Sequence, residues 1–133
     1  MANEEQVFTR EDARKIVTNV QIPFGTTQID LKAFSGFGDL ESITIPNSVR
    51  HIGICAFARC KSLTTITIPN SVRCIGIYAF AHCKSLTTIT IPNSVGYIGE
   101  YAFAHCKSLT IHTPKNSYAA SWAKERGIPV ETY

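Results

Sequence analysis

The sequence predicts an α/β repeat solenoid: coils stacked in parallel, a parallel β-sheet along one side, short helical turns, and a helical cap at each end. Three observations predict it. A 23-residue unit is written three times, over Leu40–Ser62, Leu63–Ser85 and Leu86–Ser108, and the last two copies differ only at Arg73/Gly96, Cys74/Tyr97 and Ile77/Glu100. The preceding stretch, Val17–Asp39, aligns with the next unit without a gap. Inside each unit the pattern L-x-x-I-x-I alternates apolar and polar residues, as a half-buried strand does. A tandem period of this length builds an array in which no unit buries its apolar face alone and neighbours complete the core.

The chain divides into an N-terminal cap (1–16), a solenoid (17–114) and a C-terminal cap (115–133). In the first cap Thr9 and Asp12 form a weak capping box for a helix over Arg10–Ile16. The solenoid runs through units 17–39, 40–62, 63–85 and 86–108 and a partial fifth coil, 109–114. In the first unit Val20, Ile22, Pro23, Ile29, Ala33 and Phe34 fall where Ile43, Ile45, Pro46, Ile52, Ala56 and Phe57 fall in the second, with Phe37 at the position of Cys60.

Within a unit, Ile43 and Ile45 point inward between Ser42 and Thr44. Pro46 ends the strand by removing a donor, and Asn47–Ser48 turns the chain. Val49–Ile52 is a second extended stretch, and Gly53 allows a tight bend. Ala56–Ala58 is read as one helical turn that carries Phe57 into the core, so that Phe34, Phe57, Phe80 and Phe103 stack as an aromatic column. Cys60, Cys83 and Cys106 occupy one repeat position and form a second column of small buried hydrophobes. In the last cap Asn116 or Ser117 starts a helix that Gly127 and Pro129 stop. Tyr118 and Trp122, four apart, lie over the open end of the core, and Val130–Tyr133 adds a last strand.

Bulk properties exclude several classes. At 133 residues the chain is one domain with room for a core. No apolar run approaches the length of a bilayer span. A net charge of +3 is too small to imply nucleic acid. Met1–Arg10 lacks a basic start followed by an apolar core, so a cytoplasmic chain is expected unless a signal was removed. Five cysteines, an odd number, argue against a disulfide framework.

The residues LTTITIPNSV…IG…YAFAHCKS resemble the BspA-like (treponemal-type) leucine-rich repeat family over Val17–Pro114, and the tail SYAASWAKERGIPVE is similar to tails that close such arrays. The resemblance implies a right-handed solenoid and a role in protein binding or adhesion, often on the surface of bacteria or parasitic protists. It brings no catalytic residues.

Site chemistry is sparse. His51/Cys55, His82/Cys83 and His105/Cys106 are close in sequence, but Cys83 and Cys106 are expected in the core with the histidines facing outward, so no thiol–base pair forms. The chain is therefore read as non-enzymatic, with no cofactor and no metal site. His82 and His105 stack as two ligands at most, with Arg59 in the same column. Ser42, Thr44, Thr65, Thr67, Thr88 and Thr90 project from one sheet face and form the candidate binding face. Ranked threonines also suggest an ice-ordering lattice, but threonine suits strands anyway. Lys61, Lys84 and Lys107 form one basic column and Arg50 and Arg73 another, read as solvated flanks. Ile54 and Ile77 stand where Glu100 carries an acid. With Cys74 and Tyr78 they form a candidate self-association patch. The reading is a protein-binding or scaffold module with an unidentified protein partner and a homodimer as one form. The alternative is an engineered or consensus-like repeat scaffold with no evolved ligand.

Overall fold

A computed structural model describes residues 6–13 and 18–133. The elements follow in order: β1 Gln6–Phe8, α1 Arg10–Ala13, β2 Asn19–Gln21, β3 Thr26–Ile29, β4 Ser42–Thr44, β5 His51–Ile52, β6 Thr65–Thr67, β7 Cys74–Ile75, β8 Thr88–Thr90, β9 Tyr97–Ile98, β10 Thr110–Thr113, α2 Tyr118–Glu125 and β11 Val130–Thr132. Every strand pair is parallel, because each coil returns to the same side before the next begins.

Three sides result. On the first, the L-x-x-I-x-I segments pair as β2-β4 and as β6-β8-β10-β11. On the second, the short strands before each glycine pair in the order β1-β3-β5-β7-β9. The third side holds the A-F-A segments. Each is a short run of tight turns, of the 3₁₀ rather than the α type. Their bonds close at i to i−3, as in Ala56 N to Gly53 O (3.2 Å) and Cys60 N to Phe57 O (3.3 Å). The free amides instead bond across coils, Phe34 N to Ala56 O and Phe57 N to Ala79 O, both 2.7 Å. A longer helix would turn those donors inward along its own axis, so the coil-to-coil ladder wins.

The core is a set of columns. Phe34, Phe57 and Phe80 are fully buried. Their rings stack at 5.1 Å, and Phe103 follows at 5.4 Å. Phe8 adds a fifth ring at 5.2 Å from Phe34, and Trp122 closes the other end edge-on to Phe103 at 5.8 Å. Gly53 and Gly76 each start a turn, closed by Ala56 N to Gly53 O (3.2 Å) and Ala79 N to Gly76 O (3.1 Å), but neither has a positive φ, so the turn itself does not require glycine. A Cβ on Gly76 would lie 2.7 Å from the backbone of Gly53 and Ile54, so the glycine is there because successive coils press together.

The caps close the stack. Thr9 N donates to Asp12 Oδ2 (3.0 Å) and Asp12 N to Thr9 Oγ1 (3.3 Å), a reciprocal box that starts α1. The expected helix residues 14–16 lie outside the described residues. Ser117 is the N-cap of α2, its Oγ accepting from Ala120 N at 3.0 Å, and Gly127 follows with φ +70°. Trp122 is buried over Phe103, but Tyr118 is exposed and does not cover the core. Its hydroxyl instead accepts from Ile98 N (3.3 Å), beside the last strand of the second side.

Candidate binding surfaces

Period-two alternation on the first side puts Ile43, Ile66 and Ile89 inward and the Ser/Thr residues outward. Ser42, Thr44, Thr65 and Thr67 are exposed, and Thr88 and Thr90 half-buried. Register makes two ranks, Thr65–Thr88–Thr110 and Thr67–Thr90–His112, with Asn19–Ser42 and Gln21–Thr44 continuing them on the other pair. Ser42 Oγ donates to Asn19 Oδ1 at 2.7 Å. Sequence reasoning left out Asn19, Gln21, Thr110 and His112. The gapless alignment of residues 17–39 already pointed to the first two.

The face is not one flat sheet. Between β4 and β6 the ladder is interrupted. Glu41 N bonds to Thr18 O and Thr87 N to Thr64 O, yet among the described residues the equivalent bond from Thr64 N to Glu41 O is absent. So is Ile45 N to Thr67 O, although Ile22 N bonds Thr44 O and Ile68 N bonds Thr90 O. An open groove of about 660 Å³ lies over the interruption, lined by Thr44, Asn47, Thr65, Thr67, Asn70 and Tyr133 among others. Among the described residues no charged side chain lines it. Ile43 and Ile45 keep 9% and 7% exposure, against 0% for Ile89 and Ile91 in the intact part, so solvent reaches the gap.

The apolar column lies on the corner after the second side. Leu31, Ile54 and Ile77 are 55%, 48% and 37% exposed. The residue after each has a left-handed backbone, Lys32, Cys55, Tyr78 and Tyr101 all having φ between 57° and 59°. That turn throws the preceding side chain outward in every coil. Tyr78 is exposed and stacks on Tyr101 at 5.3 Å, while Cys74 is half-buried on the outer side of β7. Glu100 ends the column for a structural reason: its carboxylate accepts from Arg126 of the C-terminal cap at 2.7 Å. Ile54 and Ile77 have coils, not the cap, beyond them.

Cys60 and Cys83 are fully buried, but Cys106 is only half-buried, because the last coil has a cap in place of another full coil above it. Each Sγ donates to the carbonyl of a phenylalanine in the preceding coil: Phe34 at 3.2 Å, Phe57 at 3.1 Å and Phe80 at 3.0 Å. Burial pushes the Cys60 thiol up to about 12. Cys83 also moves up, through its side-chain hydrogen bond to Cys106 and then burial. Cys60 and Cys83 are therefore not thiolate nucleophiles near neutral pH.

His82 and His105 stack with centroids 4.4 Å apart. Among the described residues no group of three or more His, Cys, Asp or Glu side chains is placed to hold a metal. Partial desolvation, then His105, Arg59 and Lys84, holds His82 below the ordinary imidazole value. The lysine column is exposed beside this pair.

A model of the BspA type leucine rich repeat region, in six copies, matches residues 11–121. The structure is similar to a leucine-rich repeat protein of T. pallidum, with a TM-score of 0.69 and 37% identity over 71% of this chain and 44% of that one. It is also similar to a leucine-rich repeat protein from Bacteroides ovatus, TM-score 0.68 and 40% identity over 74% of this chain and 26% of that one. A leucine rich cell surface protein from Faecalibacterium prausnitzii gives 0.64 and 25% identity over 86% of this chain and 35% of that one. The chain thus spans less than half the length of each. No curated protein matches it.

Proposed function

Since the chain belongs to the BspA-type leucine-rich repeat family, we propose that it is a non-catalytic protein-binding or scaffold module whose contact surface is the Ser/Thr face of the first side. One observation carries this reading. The interruption between β4 and β6 leaves a groove flanked by Thr44, Thr65 and Thr67, with no charged side chain among its described lining residues, in which backbone donors and acceptors lack partners in the ladder. β4 and β6 still lie side by side, so what a partner meets is the outward hydroxyl ranks, which supply donors and acceptors without the desolvation cost of charge. The test is a capture comparison between the parent and Thr65→Arg plus Thr67→Arg, outward positions that a folded coil tolerates. A saturable protein partner held by the parent and lost by the variant supports the reading. A partner held equally by both removes this face from it.

Self-association is a second reading, favoured by the exposure of Ile54, Ile77 and Tyr78 beside the half-buried Cys74. The isoleucines are already about half covered, so each would contribute about 1 kcal/mol on full burial. Four of them across a two-fold axis give about 4 kcal/mol, the scale of a millimolar dimer. Sedimentation of reduced protein should then show weak, concentration-dependent dimers that Ile54→Glu plus Ile77→Glu abolishes. A parent that stays monomeric at high concentration refutes it.

A further inference from the structure

The third side carries a charged groove that the binding-face reading does not use. The same left-handed turn recurs there in every coil, at Gly36 (φ 79°), Arg59 (64°), His82 (61°) and His105 (61°), so it presents the side chains of Arg59, His82 and His105 at one place, one coil apart. Two residues on, Lys61, Lys84 and Lys107 form a parallel row. Two adjoining cavities run between the rows. One, of about 420 Å³, is lined by His82, Lys84, His105, Lys107 and Ser108. The other, of about 370 Å³, is lined by Gly36, Gly38, Arg59, Lys61, His82 and Lys84. They share His82 and Lys84, which makes a single trough along the stack.

The trough is positive and unbalanced. Residues 36–108, from the first lining residue to the last, hold six Lys/Arg (Arg50, Arg59, Lys61, Arg73, Lys84, Lys107) against three carboxylates, Asp39, Glu41 and Glu100. Glu100 is taken by Arg126. Among the described residues none of Arg59, Lys61, Lys84 and Lys107 has a carboxylate within 4.0 Å. Lys61 also leans along the groove: a Cβ on Gly38 would come within 2.9 Å of its Cε, so the glycine leaves the space the lysine stem fills. Like charges held in register cost free energy unless an anion joins them.

We propose that this trough binds a linear sulfated polysaccharide, laid along the stack so that successive sugars meet successive coils. Spacing and lining choose this occupant. One lysine per coil, Lys61, Lys84 and Lys107, recurs at the inter-strand distance, about 4.8 Å, close to the advance of one pyranose ring in an extended chain. An acidic peptide in extended form places same-face carboxylates about 6.7 Å apart and would lose register within three coils. A single-stranded nucleic acid needs open aromatic faces for its bases. The only rings here are two imidazoles stacked on each other. Partial desolvation and then His105, Arg59 and Lys84 oppose protonation of His82, and a bound polyanion offsets the opposition from the charges, so binding tightens as pH falls.

The experiment titrates the full chain with heparin at about 0.15 M ionic strength, and in parallel with polyglutamate and with an oligodeoxythymidine of matched charge. Three variants are compared with the parent. Lys84→Gln plus Lys107→Gln removes two charges from the trough. Arg50→Gln plus Arg73→Gln removes two from the other basic column, which does not line it. Lys84→Arg plus Lys107→Arg keeps the trough charge. The expected result is saturable heparin binding that weakens about tenfold in the first variant, changes little in the second and third, and tightens between about pH 7.5 and 5.5. Circular dichroism confirms that each variant is folded. Failure of heparin to saturate overturns the proposal. So does equal weakening in the first two variants, or binding of polyglutamate or the oligonucleotide as tight as that of heparin. Because Thr65 and Thr67 lie on another side, the uncharged variant Thr65→Gln plus Thr67→Gln should bind heparin normally, which keeps this outcome separate from that of the protein-binding face.

Discussion

Replacing Phe80 by alanine removes the middle ring of the core column. The side chain has no exposure, and its ring is sandwiched between Phe57 at 5.1 Å and Phe103 at 5.4 Å, with interplanar angles of 5° and 6°. A Phe→Ala cavity costs about 3–5 kcal/mol, and each stacked aromatic contact is worth about 0.5–1.5 kcal/mol beyond burial. The coil of Phe80 is laddered to that of Phe103 on all three sides and to that of Phe57 on two, so the walls resist collapse into the space and the loss should lie at the upper end. Phe103 keeps 5% exposure and meets Trp122 edge-on on one side. Its alanine variant should therefore cost about 1 kcal/mol less than that of Phe80. Urea unfolding followed by circular dichroism measures both, and Phe80→Leu provides a gentler version should Phe80→Ala fail to fold. A loss below about 1.5 kcal/mol for Phe80→Ala, or a larger loss for Phe103→Ala, would refute the column as the main element of the core.

Other outcomes follow from the same geometry. Gly76→Ala forces a methyl against the backbone of Gly53 and Ile54 and should cost about 1–3 kcal/mol, whereas Gly96→Ala, with nothing within 4 Å, should be neutral; urea midpoints compare them. A thiol reagent on native protein should modify the half-buried Cys55, Cys74 and Cys106 well before Cys60 and Cys83, as mass spectrometry of partly labelled chains will read. Because the Cys60 thiol is raised from 9.0 to about 12 in the folded protein, the unfolded chain sheds that proton first, and stability should fall as pH rises from about 9 towards 12. Replacing Cys60 by alanine should flatten that slope in alkaline urea titrations.

The columns were legible because a fixed period of 23 residues maps identical letters onto neighbouring coils, so Phe34, Phe57, Phe80 and Phe103 had to meet. Phe8 was not, since it stands 26 residues before Phe34 and falls out of phase. The exposure of Ile54 and Ile77 follows from the left-handed residue after each, a backbone feature that Cys55 and Tyr78 do not advertise as glycine would. The same silence hid the turn that aims Arg59, His82 and His105, although Gly36 in the first coil hinted at it. A bend at Gly53 and Gly76 was legible, but the close approach that requires glycine there was not, because only the neighbouring coil reveals it. The interruption between β4 and β6 has no letter to mark it. Both strands read I-T-I-P-N-S from Ile43 and Ile66 onward, and we have no local cause for it.

All three surfaces depend on one claim, that the coils are interchangeable rungs bonded mainly to their neighbours. Removing Leu63–Ser85 tests it most directly, because Ser62 then joins Leu86 in the phase that Ser85 now holds. The account predicts a shorter folded protein that keeps its β-rich circular dichroism spectrum, unfolds in one cooperative transition, and does so at lower urea than the parent. A chain that is unfolded without denaturant would contradict it.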